Sequence, residues 1–172
     1  MIYMLENGYR VDGVDASIES VRLVQSKLDG MPAIGSDATL THIRPDALSL
    51  PFEDGTFDYV ICFSVLSLLG NRDRVGHLLE EFHRVMKPGA KAILDINGPT
   101  SDFARDGTAV ADDIYEYRDG PEGLPFLCYC PKDEETFAAL LEPHFKVDDL
   151  GMCMHRYMHS EIFEYIACVR KP

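Results

Sequence analysis

Phe57-Asp58-Tyr59-Val60-Ile61-Cys62-Phe63 is the stretch on which the fold turns. It is short, aromatic and β-branched, and its near-continuous apolarity predicts a strand buried on both faces of a parallel sheet. Downstream, Val75, Leu78, Leu79, Phe82, Val85 and Met86 recur at helical spacing, which predicts a helix over Arg72 to Met86. Pro88-Gly89 is expected to end that helix, and Ala90 to Ile96 reads as a second buried strand. Upstream, Met1 to Asn7 reads as the last turns of a helix closed by Gly8, and Tyr9 to Val14 as a strand closed by Asp15. Ser17 then caps a helix carrying Ile18, Val21, Val24 and Leu28 down to Gly30. Leu40 to Asp46 is a weaker strand, and the segment from Leu50 to Gly55 is a connection and turn.

The remainder is less regular. From about 98 to 130 the chain carries two Gly-Pro pairs and an excess of acids, and it reads as an irregular insertion. Lys132 to Glu142 follows as a short helix, then Phe145 to Leu150 and Ile162 to Val169 as two final, antiparallel strands. Helices alternating with strands predict an α/β fold: a Rossmann-like, mostly parallel sheet with helices on both faces and an antiparallel final strand. The 172 residues suit one domain, 1–172.

Composition narrows the function. Acids outnumber bases 29 to 16, a formal charge of −13, which disfavours nucleic acid and anionic membrane surfaces and favours a small-molecule partner. Five irregularly spaced cysteines read as reduced thiols, and no apolar run approaches a membrane span or a leader, so a cytoplasmic protein is expected. Cys128-x-Cys130 with Cys153, His155 and His159 does not make a zinc pattern, and Met152, Met154 and Met158 read as a connection rather than a soft-metal site; no metal is expected.

Four segments give the pattern its specificity: Gly8-Tyr9-Arg10-Val11-Asp12-Gly13-Val14-Asp15-Ala16-Ser17, Asp46-Ala47-Leu48-Ser49-Leu50-Pro51-Phe52, Asp54-Gly55-Thr56-Phe57-Asp58-Tyr59-Val60 and Val85-Met86-Lys87-Pro88-Gly89-Ala90. In this order and spacing they resemble the class I S-adenosylmethionine (SAM)-dependent methyltransferases, in particular the group that methylates small molecules. The resemblance implies SAM as cofactor, with Asp15 on the ribose hydroxyls and Asp46 on the adenine amine. It implies the Ala47 N–H on the adenine ring, Ala16 and Leu48 as apolar walls, and Phe63 and Ser64 beside the methionine portion. Ligands of open α/β sheets bind at the carboxyl ends of strands, where these residues fall. Tyr115, Tyr117 and Tyr129 are candidates for contact with substrate or sulfonium, and no residue stands out as a catalytic base.

One family feature is missing. Class I methyltransferases hold SAM on a loop of alternating glycines after the first strand, and none of this chain's 13 glycines is separated from another by a single residue. The loop and its strand are expected to be absent from the front, with Met1 inside the following helix and methyl transfer impaired in the chain as given. A chain begun at an internal methionine of a longer gene is the first explanation. A non-catalytic relative acting as a binding or partner subunit is the second, and a strand lent by another chain, for instance in a homodimer through an open sheet edge, is the third. An NAD-dependent oxidoreductase is the competing enzyme class, disfavoured because no G-x-G-x-x-G occurs.

Overall fold

The computed structural model describes residues 1–47, 49–157 and 160–172, so Leu48, Met158 and His159 lie outside the described residues. The chain divides into two compact units, Met1–Leu50 and Pro51–Pro172.

In the first unit the order is α1 (Ile2–Glu6), β1 (Val11–Asp15), α2 (Ile18–Asp29), α3 (Pro32–Gly35) and β2 (Ala38–His42). Gly8 closes α1 with φ +81°, a left-handed conformation that costs glycine least, and its N–H returns to the Leu5 carbonyl. The Ser17 hydroxyl accepts from the Ser20 N–H at 3.1 Å and so caps α2, as the sequence predicts. β1 and β2 pair in parallel, Val11 opposite Ala38 through Asp15 opposite His42. The second strand thus starts and ends earlier than the expected Leu40 to Asp46. Pro45 has no N–H to give a ladder, and the Ala47 N–H turns back to the Arg44 carbonyl at 3.0 Å.

The second unit holds β3 (Phe57–Cys62), a 3-10 helix (Leu66–Leu69), α4 (Arg72–Val85), β4 (Met86–Asn97), α5 (Asp102–Arg105), β5 (Thr108–Ala111), β6 (Ile114–Arg118), β7 (Pro125–Tyr129), α6 (Glu134–Leu141), β8 (Lys146–Tyr157) and β9 (Ser160–Arg170). Its main sheet has the order β3-β4-β9-β8. Only β3 and β4 are parallel there; β9 runs antiparallel to both β4 and β8. The sheets are therefore mixed, not mostly parallel, while the antiparallel last strand stands as predicted.

Further expectations are corrected. Along β3, Cys62 is buried, but Tyr59 and Ile61 are exposed, as is Phe63 just past its end. An apolar run cannot tell a central strand from an outer one, and β3 is an outer strand. Pro88-Gly89 does not separate helix from strand. β4 begins at Met86 opposite Phe57, and the Lys-Pro-Gly turn bulges out before Lys91 pairs with Tyr59, with Gly89 at φ +78°. Lys171 closes the end of α4, its ammonium donating to the carbonyls of His83 (2.7 Å) and Met86 (2.9 Å).

The third correction concerns residues 98–130, which are not irregular but form a three-stranded antiparallel sheet, β5-β6-β7. The period-two pattern of Ile114-Tyr115-Glu116-Tyr117 was hidden by its acids and by the Gly120-Pro121 turn. Phe103, Tyr117 and Phe126 give this sheet a small aromatic core, edge to face at 5.1–6.1 Å and open to solvent at Phe126. Met152, Met154 and His155 likewise belong to β8 and not to a connection.

The core of the second unit joins the predicted stripe of α4 (Val75, Leu79, Phe82, Val85) to Leu94 and Ile96 of β4, Phe137 and Leu141 of α6, and Ala167 and Val169 of β9. The one buried acid of α4, Glu81, is paired in bidentate fashion with Arg84, which also reaches Asp54 and the Phe52 carbonyl.

Candidate cofactor site

Parallel pairing brings the carboxyl ends of β1 and β2 side by side, Asp15 opposite His42, with Ala16 just past the first; Asp46 and Ala47 lie four and five residues beyond the end of β2, in a turn closed by the Ala47 N–H on the Arg44 carbonyl. One Asp15 oxygen accepts from the Ser17 N–H at 2.7 Å, an arrangement that fixes the carboxylate at the entry to α2. Its other oxygen retains acceptor capacity. The Ala16 carbonyl lies 3.2 Å from His42 Nε2, which ties the two strand ends together. Asp46 is held by the Arg44 guanidinium, at 2.9 and 2.8 Å, and both side chains are largely exposed. An exposed pair of this kind is weak and exchanges readily for another donor. The Ala47 N–H is engaged by the Arg44 carbonyl. Two acceptor-only carboxylates suit the hydroxyls and amine of a nucleoside, so Asp15 and Asp46 fit the nucleoside half of SAM, whereas the Ala47 N–H, expected on the adenine ring, is already donated to the Arg44 carbonyl.

In the second unit, Phe63 and Ser64 follow β3. Ser64 takes φ +58°, uncommon for a residue with a side chain. Its N–H donates to Asp95 Oδ1 at 2.7 Å, and three residues on, the Ser67 hydroxyl accepts from the Asn97 N–H at 2.8 Å. Asp95 is 4% exposed. Burial, aided by Glu164, pushes its carboxyl up from 3.8 to about 6, against the opposing pull of the Ser64 hydrogen bond. The neighbouring Cys62 thiol is pushed up to about 12 by burial and then by Asp95. Sequence reasoning missed Asp95, although a lone acid inside the apolar run Ala90 to Ile96 was a visible signal.

The 3-10 helix carries the chain from this strand end to Gly70, at φ +79°, against which β7 packs; a Cβ on Gly70 would stand 3.0 Å from that of Leu127. Phe63, Val65, Leu68, Phe126 and Leu127 remain exposed. Of the three tyrosines, Tyr129 is buried and Tyr117 belongs to the small aromatic core. Among the described residues no three His, Cys, Asp or Glu side chains gather as metal ligands, and burial pushes the Cys128 and Cys130 thiols up to about 11 and 12.

Residues 1–94, which contain all four diagnostic segments, match the family described as "Methyltransferase domain". This chain belongs to the class I SAM-dependent methyltransferases. The methyltransferase chain is 36% identical over 93 residues to the demethylmenaquinone methyltransferase of Porphyromonas gingivalis, covering 54% of this chain and 36% of that protein. It is 37% identical over 100 residues to the Bacillus cereus enzyme of the same name, covering 57% and 39%. It thus spans well under half the length of these relatives. Among solved structures, a SAM-dependent methyltransferase from Methanosarcina mazei shares the fold with TM-score 0.81 and 21% identity, over 99% of this chain and 85% of that one. The 1,6-didemethyltoxoflavin-N1-methyltransferase of Burkholderia thailandensis, solved with S-adenosylhomocysteine, gives TM-score 0.65 and 18% identity over 99% and 64%. Among the described residues no helix is long and apolar enough to cross a membrane.

Proposed function

We propose that this chain serves SAM-dependent methyl transfer to an apolar small-molecule acceptor, and that Asp15, Ala16, Asp46 and Ala47 take the nucleoside while Phe63 and Ser64 border the methionine portion. The observation that carries the reading is the pair of acceptor-only carboxylates, Asp15 closing β1 and Asp46 in the turn beyond the parallel β2. SAM supplies an electrophilic methyl carbon, so the work left to the protein is orientation and exclusion of water. The exposed apolar side chains on either side of Gly70 suit an apolar acceptor, and the names of the relatives from P. gingivalis and B. cereus point to a quinone-like ring. We read 1–172 as one methyltransferase domain, working in the cytoplasm, whose 98–130 sheet closes over the acceptor.

The same reading holds that transfer by these 172 residues alone is impaired, because none of their glycines alternate as the family's cofactor loop requires. The glycine spacing also favours a second reading, a non-catalytic binding subunit. Calorimetric titration of SAM and S-adenosylhomocysteine separates the two. The expected result is measurable binding that Asp15→Ala weakens about tenfold or more, the worth of a hydrogen bond to a charged group. A folded chain that gives no heat with either ligand would discard the cofactor site in favour of the second reading. β1 and β3 are outer strands of their sheets, and a homodimer through such an edge is part of the proposal; sedimentation at a single, monomeric mass would remove that part.

A further inference from the structure

We propose that Asp95 is a positioning residue: its carboxyl holds the Ser64 amide and thereby sets the conformation of the loop that follows β3. The inference rests on Ser64 bordering the cofactor, as proposed above.

A serine at φ +58° does not stay there unaided, because the left-handed region crowds its Cβ. What holds it is a 2.7 Å hydrogen bond from its N–H to a buried carboxyl on the neighbouring strand. The loop is tied a second time to the same strand, Asn97 N–H to Ser67 Oγ, and Ser67 is itself buried. β3 and β4 run parallel with Cys62 opposite Leu94, so the two ties fall just past the last rung of that ladder. Residues 64–67 are thus pinned at both ends to Asp95 and Asn97.

An acid is a costly choice for such a place unless its acceptor capacity is used. The groups facing Asp95 do not help to ionise it: Glu164 on β9 repels the charge, and Cys62 on β3 stays a neutral thiol. The Ser64 N–H, and after it the backbone N–H of Asp95 itself, favour the charged form. The strength of the tie therefore follows the protonation of Asp95, and a carboxylate holds the amide more strongly than a carboxylic acid does.

The test combines amide exchange with ligand titration on the full chain. Wild type is expected to show a protected Ser64 amide whose proton shift titrates with a midpoint about 6. Asp95→Asn keeps a carbonyl acceptor, so protection persists and the titration disappears. Asp95→Ala is expected to lose the protection and to weaken S-adenosylhomocysteine binding about tenfold, and adding Ser64→Gly, which takes the left-handed conformation without strain, should restore binding. A Ser64 amide that exchanges freely in wild type, or a shift that stays flat between pH 4 and 8, overturns the proposal. So does Asp95→Ala binding as wild type does. If Asp95→Ala does not fold, wild type and Asp95→Asn decide it from the Ser64 shift alone. If wild type binds no ligand, the cofactor reading fails by itself, and the Ser64 amide still decides whether Asp95 holds the loop.

Discussion

Phe137→Ala is expected to destabilise the second unit by about 3–5 kcal/mol, the range for truncating a fully buried phenylalanine. The side chain is completely buried on the inner face of α6, stacked on Tyr165 of β9 with ring centroids 6.4 Å apart. It sits where α6 packs against α4, β8 and β9, elements whose core residues, Leu79 and Ala167 among them, are themselves fully buried. None of these can swing far without leaving its own packing, so collapse into the cavity will be incomplete. Such a loss is a large fraction of a domain's total stability. Urea unfolding followed by far-UV circular dichroism should show the midpoint falling steeply with the slope unchanged. A midpoint shift worth under about 1 kcal/mol would mean that α6 is not seated on the sheet as described.

The elements of this core were legible because they are periodic. The α4 stripe from Val75 to Val85 shows the 3.6-residue repeat without interruption, and the cap at Ser17 and the stop at Gly8 are local chemistry that needs no tertiary context. Strand directions and neighbours were less legible. Nothing in Phe57–Cys62 says whether its second face will be covered, and that question was settled by strand order, a non-local property. The sheet in 98–130 escaped because its strands are short and polar at alternate positions, and its pairing depends on two turns, at Asp113 (φ +59°) and Gly120 (φ +69°), that composition alone suggests are loop.

The site was half legible for a related reason. Asp15 closes β1 and Asp46 lies in the turn beyond β2, and both announce themselves by their place in the four segments. Asp95 does not, because its role depends on a backbone amide 31 residues away that only the β3–β4 pairing brings within reach. A sequence pattern records side chains, and a partner that is a main-chain N–H leaves no mark in it.

Asp95 also governs how stability responds to pH. Its carboxyl is raised in the folded state from 3.8 to about 6, so the folded chain binds that proton more tightly than the unfolded one. The stabilisation is present in full below pH 3.8, declines as pH rises from there, and is gone above about 6. Asp106, Asp133 and Asp148 act in the opposite sense: each is held low by a side-chain hydrogen bond, from Arg105, Thr136 and Arg170, and loses its contribution as pH falls. These three are exposed and screened, so the buried acid should dominate the contrast. Asp95→Asn removes the titration and keeps the acceptor for Ser64. The variant should match wild type near pH 4 and become the more stable by about 2–3 kcal/mol at pH 7 to 8, the value of a shift of this size. Chemical unfolding of both proteins at half-unit steps from pH 4 to 8 measures the difference. A stability gap that stays constant over that range would show that Asp95 titrates at its ordinary value in the folded chain.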